Sequence, residues 1–128
     1  MQASKDEDRE IRTFVTVFGS NFKKVSIVSP VASGEIANAY APFVTPSLLA
    51  QWERDPLTAP GRKSSSIWPD SIQISSVSKS GDNYRVEGSI VLLTTEDEKI
   101  GKTSALLPVH ILVSRDNDRW VITTYQSP

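Results

Sequence analysis

The sequence contains no cysteine among its 128 residues. Disulfide bonds, thiol nucleophiles and zinc-thiolate centres are therefore excluded. Many exported bacterial proteins also lack cysteine, so its absence does not indicate a cellular compartment.

Long hydrophobic runs are also missing. No apolar segment approaches the ~20 residues that a membrane-spanning helix needs. The first four residues, Met-Gln-Ala-Ser, lead into charges and do not resemble a signal peptide. We therefore expect a soluble domain. In a longer protein, we expect an export signal or lipid anchor to have preceded this charged start.

Neither sign of charge dominates, since 14 basic residues face 15 acidic ones. No stretch gathers the basic residues into a stripe that could neutralise several phosphates, so we do not expect a nucleic-acid partner. Hydrophobic residues make up 38% and charged residues 23%, which is ordinary globular composition. The length favours one core, and hence one domain over residues 1–128.

Apolar periodicity and capping signals predict three helices in the first half of the chain. Ser4 and Glu7 have capping-box spacing, and the apolar stripe after them predicts a helix from about residue 5 to the low twenties. Ser29-Pro30 and Thr45-Pro46 are start signals for two shorter helices, which end before Pro42 and Pro56. The helical half therefore covers about residues 5–55.

Residues 56–66 form the predicted connection between the helical half and the second half of the chain. The segment contains two prolines, a glycine and a serine run, which disfavour helix and strand. Loops of this length are often functional in compact domains.

The apolar period then changes to two and predicts four strands over about residues 67–126. A phase break near Ser75-Ser76 predicts a bulge in the first strand. Residues 94–101 are predicted to be a turn. The third strand, Ala105 to Val113, is expected to be central, and Pro108 within it predicts either a bulge or an open neighbouring edge. Helices followed by a meander predict an α+β fold with three helices packed on a bent, four-stranded antiparallel sheet.

This order of elements, ending in Arg119-Trp120-Val121-Ile122, resembles the nuclear transport factor 2-like, or cystatin-like, superfamily. The resemblance implies a cone in which the bent sheet wraps around the helices, with a mouth that can hold a ligand. It also brings an enzyme hypothesis, because the superfamily includes isomerases and dehydratases with acid-base groups inside the cone.

A narrower resemblance lies in Ala59-Pro60-Gly61-Arg62, Ser65-Ser66 and Trp68-Pro69-Asp70, which are similar to a segment of small uncharacterised exported proteins of Gram-positive bacteria. It implies a domain that works outside the cytoplasmic membrane. It also implies a likeness to the outward-facing parts of lipoproteins and of membrane-associated regulators, including effectors of extracytoplasmic-function sigma factors.

His110 is the sole histidine of the sequence, and no cluster of acidic residues stands near it along the chain. A metal site is therefore not expected, and neither is a cofactor. Its phase differs from that of Val109 and Ile111, so we expect it to point toward solvent or into a polar pocket. As a general base it would need an orienting partner, which the sequence does not identify.

Trp68 stands between the predicted loop and the first strand. It either pins the loop to the body of the domain or displays an aromatic surface to a partner. Arg62 and Asp70 carry opposite charges on either side of this corner, and we expect them to interact. Trp52 and Trp120 lie in strongly patterned elements and are expected to fill the core.

The conceivable acid-base groups are Asp70 and His110, together with the tyrosines Tyr40, Tyr84 and Tyr125. Asp70 is better explained as a cap of the turn after Pro69, and the tyrosines as core residues. The sequence thus favours a non-catalytic binding domain over an enzyme.

The domain is expected to contact a protein or small ligand through the cone mouth or the 56–70 loop. The residues predicted for this binding are Tyr40, Arg62, Trp68, Asp70 and His110. The alternatives are an isomerase or dehydratase, a sigma-factor effector, and a homodimerisation module that uses the open face of the sheet.

Overall fold

Three helices precede the sheet in the computed structural model, which describes residues 4–62, 67–101 and 105–127. They are α1 (Lys5–Gly19), α2 (Ala32–Tyr40) and α3 (Pro46–Arg54). Single-turn 3₁₀ helices follow α1 at Phe22–Lys24 and α3 at Pro56–Thr58. In the part of the chain described, no helix is long and apolar enough to cross a membrane.

The capping signals explain where the helices start. The Ser4 hydroxyl accepts from the Glu7 amide and the Glu7 carboxylate accepts from the Ser4 amide, which confirms the capping box of α1. Thr45 caps α3 through the Leu48 amide. The predicted start of α2 was wrong, because the Ser29 hydroxyl accepts from the Val31 amide and the helix begins at Ala32.

The sheet has the order β1-β2-β3-β4, and each neighbouring pair is antiparallel. The strands are β1 (Trp68–Ser80), β2 (Asn83–Leu93), β3 (Ala105–Asp116) and β4 (Arg119–Gln126). The prediction of an α+β fold, with three helices followed by a four-stranded antiparallel sheet, is confirmed. The bulge predicted near Ser75-Ser76 is confirmed, and a second irregularity lies at Asp70. These two breaks in register bend β1.

β3 is an interior strand of the sheet, as predicted. Pro108 pairs with Ser89 of β2 without a break in register. On the other side, β4 reaches only as far as His110, whose partner is Gln126. No bulge interrupts the pairing of Pro108 with β2, and among the described residues of β4 none pairs with Pro108, as the explanation by an open neighbouring edge expects.

The turn predicted for residues 94–101 was wrong, because the segment contains a short helix, α4 (Thr95–Ile100). Thr94 and Asp97 form a capping box at its start. Gly101, with φ of 74°, ends the helix in the left-handed conformation that glycine adopts at little cost.

Aromatic rings fill the space between the helices and the sheet. The ring of Phe18 is fully buried, and its centroid lies 5.3–6.4 Å from those of Phe22, Tyr40, Phe43, Trp52 and Tyr125. Trp52 is buried at 1% exposure, as predicted. Trp120 is only partly buried, with its ring perpendicular to that of Tyr84 and Arg115 over its face. The space around Phe18, between the helices and the sheet, is therefore packed.

Candidate functional site

A cavity of about 500 Å³ lies where the loop after α3 meets the inner face of the sheet. We call it the mouth pocket. Its loop side runs from Leu57 to Gly61, and its sheet side is formed by Pro69, Ile90, Leu92, Leu107 and Tyr125, with Ile67 and Ser127 at the ends. The described lining is therefore mainly apolar.

The rim of the mouth pocket exposes large apolar side chains. Leu57 is 60% exposed and Ile67 is 50% exposed, whereas Ile90 is buried at 6%. Apolar side chains exposed around a concave apolar surface are typical of sites that bind other molecules.

Hydrogen bonds from the helical half hold the loop side of the pocket in place. The Tyr40 hydroxyl donates to the carbonyl oxygen of Pro60 at 2.5 Å. The Arg62 amide donates to the Val25 carbonyl at 2.7 Å, and the Arg62 carbonyl accepts from the Ile27 amide at 3.0 Å. A binding surface fixed in this way loses little conformational entropy when a ligand enters.

Gly61 allows the loop to approach the helical half this closely. A Cβ atom at this position would lie 2.6 Å from the Ile27 side chain and 3.0 Å from the Val25 carbonyl oxygen. The first distance is shorter than real Cβ contacts and the second is tighter than most of them, so a larger residue would force Ile27 or the loop to shift.

The Arg62 side chain extends away from the pocket and secures the same loop. Its guanidinium group lies 5.4 Å from the ring centroid of Trp68 and donates to the Lys23 carbonyl at 3.4 Å. Trp68 is itself 8% exposed, so it does not display its ring to solvent. The cation–π contact links the end of the loop to the start of β1.

The predicted interaction between Arg62 and Asp70 stays a prediction, because the direct partner of Asp70 is a different residue. The Asp70 carboxylate lies 3.5 Å from the Lys23 ammonium group, and among the described residues no direct ion pair joins Asp70 to Arg62. Both residues contact Lys23, because the 3₁₀ helix at Phe22–Lys24 lies between them. Nothing in the sequence pattern places that helix there.

His110 lies on the other face of the sheet, in a second depression of about 320 Å³. Its side chain is 58% exposed, and its Nδ1 lies 3.5 Å from an oxygen of Glu87. The predicted direction of His110, away from the apolar row, is confirmed. Glu87 was missed, because it becomes a neighbour only through the register that pairs it with His110 on β2 and β3.

Tyr125 brings a buried hydroxyl to the mouth pocket. Burial raises the pKa of Tyr125 above its ordinary value, and the nearby Ser127 side chain opposes this in part. The contact with Ser127 is not a well-formed hydrogen bond, and the described residues give the Tyr125 hydroxyl no other partner. The hydroxyl therefore stays protonated near neutral pH and can donate a hydrogen bond.

The described lining of the mouth pocket contains no Asp, Glu, His, Lys or Arg. The tyrosines nearby do not supply a base, because burial also raises the pKa of Tyr40. Within the described ranges, no three His, Asp or Glu side chains come together as metal ligands would. The described lining therefore offers apolar contacts and a tyrosine hydroxyl, and among these residues there is no group for proton transfer near neutral pH.

Of the five residues predicted for binding, none is among the described lining of the mouth pocket. Tyr40 and Arg62 hold its loop side, Trp68 and Asp70 lie at the adjoining end of β1, and His110 lies across the sheet. The sequence pattern missed Leu107 and Tyr125. Their phase toward the inner face was readable, but the cavity beside them was not, because it depends on how the loop after α3 packs.

No protein-family model matches the chain, and no curated protein matches it. Among solved structures, the chain is similar to a designed NTF2 protein at 12% identity, with a TM-score of 0.45. The match covers 94% of this chain and 95% of the designed one.

Proposed function

We propose that this domain is a non-catalytic binding module that takes up a small, mainly apolar molecule in the mouth pocket. The observation that carries the proposal is the pocket itself, a cavity of about 500 Å³ with an apolar lining and a loop side held by hydrogen bonds. Small-molecule sites in proteins typically measure roughly 300–1,000 Å³ and are lined mainly by apolar side chains.

The positions of the acid-base candidates favour binding over an isomerase or dehydratase. Asp70 pairs with Lys23 beside the 3₁₀ helix, and His110 lies on the outer face of the sheet. A general base must reach the proton that it removes, directly or through one water molecule. Neither residue lines the pocket in which a substrate would sit.

A titration with a neutral apolar fluorophore, N-phenylnaphthylamine, tests this proposal. The wild-type domain should bind the dye with enhanced emission. Leu107→Trp places an indole in the pocket and should weaken binding by about tenfold or more, which corresponds to ~1.4 kcal/mol. The matched control is Leu106→Trp, because Leu106 is the adjacent residue of β3, is 50% exposed and does not line the pocket. Equal binding by both variants would contradict the proposal.

We further propose that the domain works outside the cytoplasmic membrane. The support is the resemblance of residues 59–62 and 68–70 to exported proteins. A role as an effector of an extracytoplasmic-function sigma factor would require that location. Protease treatment of intact cells that carry the tagged full-length protein should remove the domain. Its survival until the cells are lysed would place it inside.

A further inference from the structure

The Tyr125 hydroxyl is the buried side-chain polar atom that lacks a hydrogen-bond partner among the described residues. Burying a hydroxyl without a partner costs free energy, and most buried polar atoms in proteins are paired. An unpaired group of this kind therefore calls for a physical reason.

The packing around Tyr125 does not supply that reason. Its ring packs edge-on against Trp52 and Phe22, with centroids 5.7 and 6.3 Å apart. A phenylalanine ring would make the same contacts without burying a polar atom. The other two tyrosines differ, because Tyr40 donates to the Pro60 carbonyl and Tyr84 donates to the Glu7 carboxylate.

We infer that the mouth pocket binds a neutral, mainly apolar molecule that carries a hydrogen-bond acceptor such as a carbonyl oxygen, and that the Tyr125 hydroxyl donates to this acceptor. The inference rests on the proposed function and specifies the chemistry of the ligand. Tyr125 lines the pocket together with Ser127, so the acceptor would lie at the sheet end of the cavity.

The protonation state of Tyr125 decides the direction of this hydrogen bond. Because burial raises its pKa, the hydroxyl keeps its proton and acts as a donor. The described lining has no charged side chain that could pair with an ion. Burial of an unpaired charge is costly, so a neutral acceptor is favoured over a carboxylate or an ammonium group.

Because the Tyr125 hydroxyl lacks a partner among the described residues, it should distinguish ligands with a hydrogen-bond acceptor from ligands without one. Its hydroxyl has no well-formed hydrogen bond to the described residues, so a ligand acceptor can take it without breaking a bond within the protein. A ligand that lacks an acceptor leaves the hydroxyl as it was. The pocket should therefore prefer a ketone to a hydrocarbon of similar shape.

A pair of matched fluorescent probes tests the inference. The first is propionyl-dimethylaminonaphthalene, a neutral ketone whose emission moves to longer wavelength when its carbonyl accepts a hydrogen bond. The second is its propyl analogue, which lacks the carbonyl. After each affinity is corrected for the probe's partition between water and octanol, the wild-type domain should bind the ketone about 3- to 10-fold more tightly, as expected for one neutral hydrogen bond.

Tyr125→Phe should abolish this preference and leave the affinity for the propyl probe unchanged. The matched control is Tyr84→Phe, which removes a tyrosine hydroxyl that is bonded to Glu7 away from the pocket. The control should keep the preference for the ketone.

The outcomes separate this inference from the proposed function. If Leu107→Trp blocks both probes but the wild-type domain does not prefer the ketone, the acceptor inference is overturned and the pocket proposal stands. If Tyr125→Phe weakens both probes equally, the hydroxyl acts on the structure of the pocket, and the inference is again overturned. If Leu107→Trp blocks neither probe, both proposals fail.

Discussion

Tyr40 and Tyr125 pack against the same tryptophan but differ in what their hydroxyl groups do. Their ring centroids lie 5.5 and 5.7 Å from that of Trp52, and both rings stand nearly perpendicular to it. The Tyr40 hydroxyl is bonded to the Pro60 carbonyl, whereas the Tyr125 hydroxyl has no well-formed bond among the described residues. The Tyr40 hydroxyl is therefore paired within the packed interior, whereas the Tyr125 hydroxyl lies at the edge of the mouth pocket without a well-formed bond to the described residues.

This difference separates a part of the interior that contributes stability from a part that is suited to binding another molecule. On the Tyr40 side, polar atoms are paired and the loop is tied to the helices, so that side contributes stability. On the Tyr125 side, a polar atom is buried at a cost and the apolar surface is not covered. Proteins accept such costs mainly where a site must remain ready for another molecule.

The largest expected effect comes from removing the tryptophan that the two tyrosines share. Trp52→Ala should lower the free energy of unfolding by about 3–5 kcal/mol, because it leaves a large cavity in the aromatic core. Trp120→Ala is the control, since Trp120 is only partly buried, and it should cost clearly less. Urea denaturation measures both variants. Equal losses would mean that Trp52 is not central to the packing.

Tyr40→Phe should have the next largest effect, about 1–3 kcal/mol, because it leaves the Pro60 carbonyl without its donor. It should also weaken binding of N-phenylnaphthylamine, because that carbonyl belongs to the loop side of the mouth pocket. Denaturation and dye titration on one sample measure both effects. A loss of stability with unchanged dye binding would show that Tyr40 does not hold the pocket.

Tyr84, the third tyrosine, adds a dependence of stability on pH, because its hydrogen-bond partner Glu7 is charged. The hydrogen bond from Tyr84 lowers the pKa of Glu7 below its ordinary 4.5 in the folded state. The stabilisation is therefore complete above pH 4.5 and is lost as the pH falls toward the lower folded value. Tyr84→Phe should show a smaller loss of stability in acid than the wild type does. Identical acid profiles would contradict this coupling.

The same hydrogen bond also affects stability at alkaline pH, because it raises the pKa of Tyr84 where it lowers that of Glu7. The Glu7 carboxylate raises the pKa of Tyr84 to about 12, so this contribution is present below pH 10 and is lost as the pH rises through 12. Tyr84→Phe should remove that part of the alkaline loss. The remainder would belong to Tyr40 and Tyr125, whose pKa values burial also raises.

The smallest expected effect is that of Tyr125→Phe on stability. Because the hydroxyl has no well-formed partner, its removal should change the free energy of unfolding by less than about 0.5 kcal/mol or should increase it. Denaturation beside Tyr40→Phe gives a direct comparison of the two hydroxyl groups. A loss as large as that of Tyr40→Phe would mean that Tyr125 has a partner in the folded domain.

Local signals in the sequence were sufficient for most of the fold. The capping box at Ser4, the Thr45-Pro46 start and the change of period after residue 66 each depend on neighbours along the chain. They predicted the order of helices and strands, and the break in phase predicted the bulge at residue 75. The helix α4 was missed because a single capped turn and a half resembles a polar turn.

The candidate site was harder to predict, because it depends on contacts between distant segments. Tyr40 was selected as a binding residue, but its hydroxyl is used by Pro60, 20 residues further along the chain. The ion pair of Asp70 with Lys23, 47 residues earlier, was not predicted. Whether Tyr125 keeps an unpaired hydroxyl depends on every element packed around it, and no pattern along β4 contains that information.

The most direct test of the central claim is to locate the ketone probe by NMR. Propionyl-dimethylaminonaphthalene would be added to the domain while the methyl signals of Ile90, Leu92, Leu106, Leu107 and Leu112 are followed. The account predicts intermolecular contacts with Ile90, Leu92 and Leu107, which line the mouth pocket, and none with Leu106 or Leu112. Contacts confined to Leu112, beside His110 on the outer face, would contradict it.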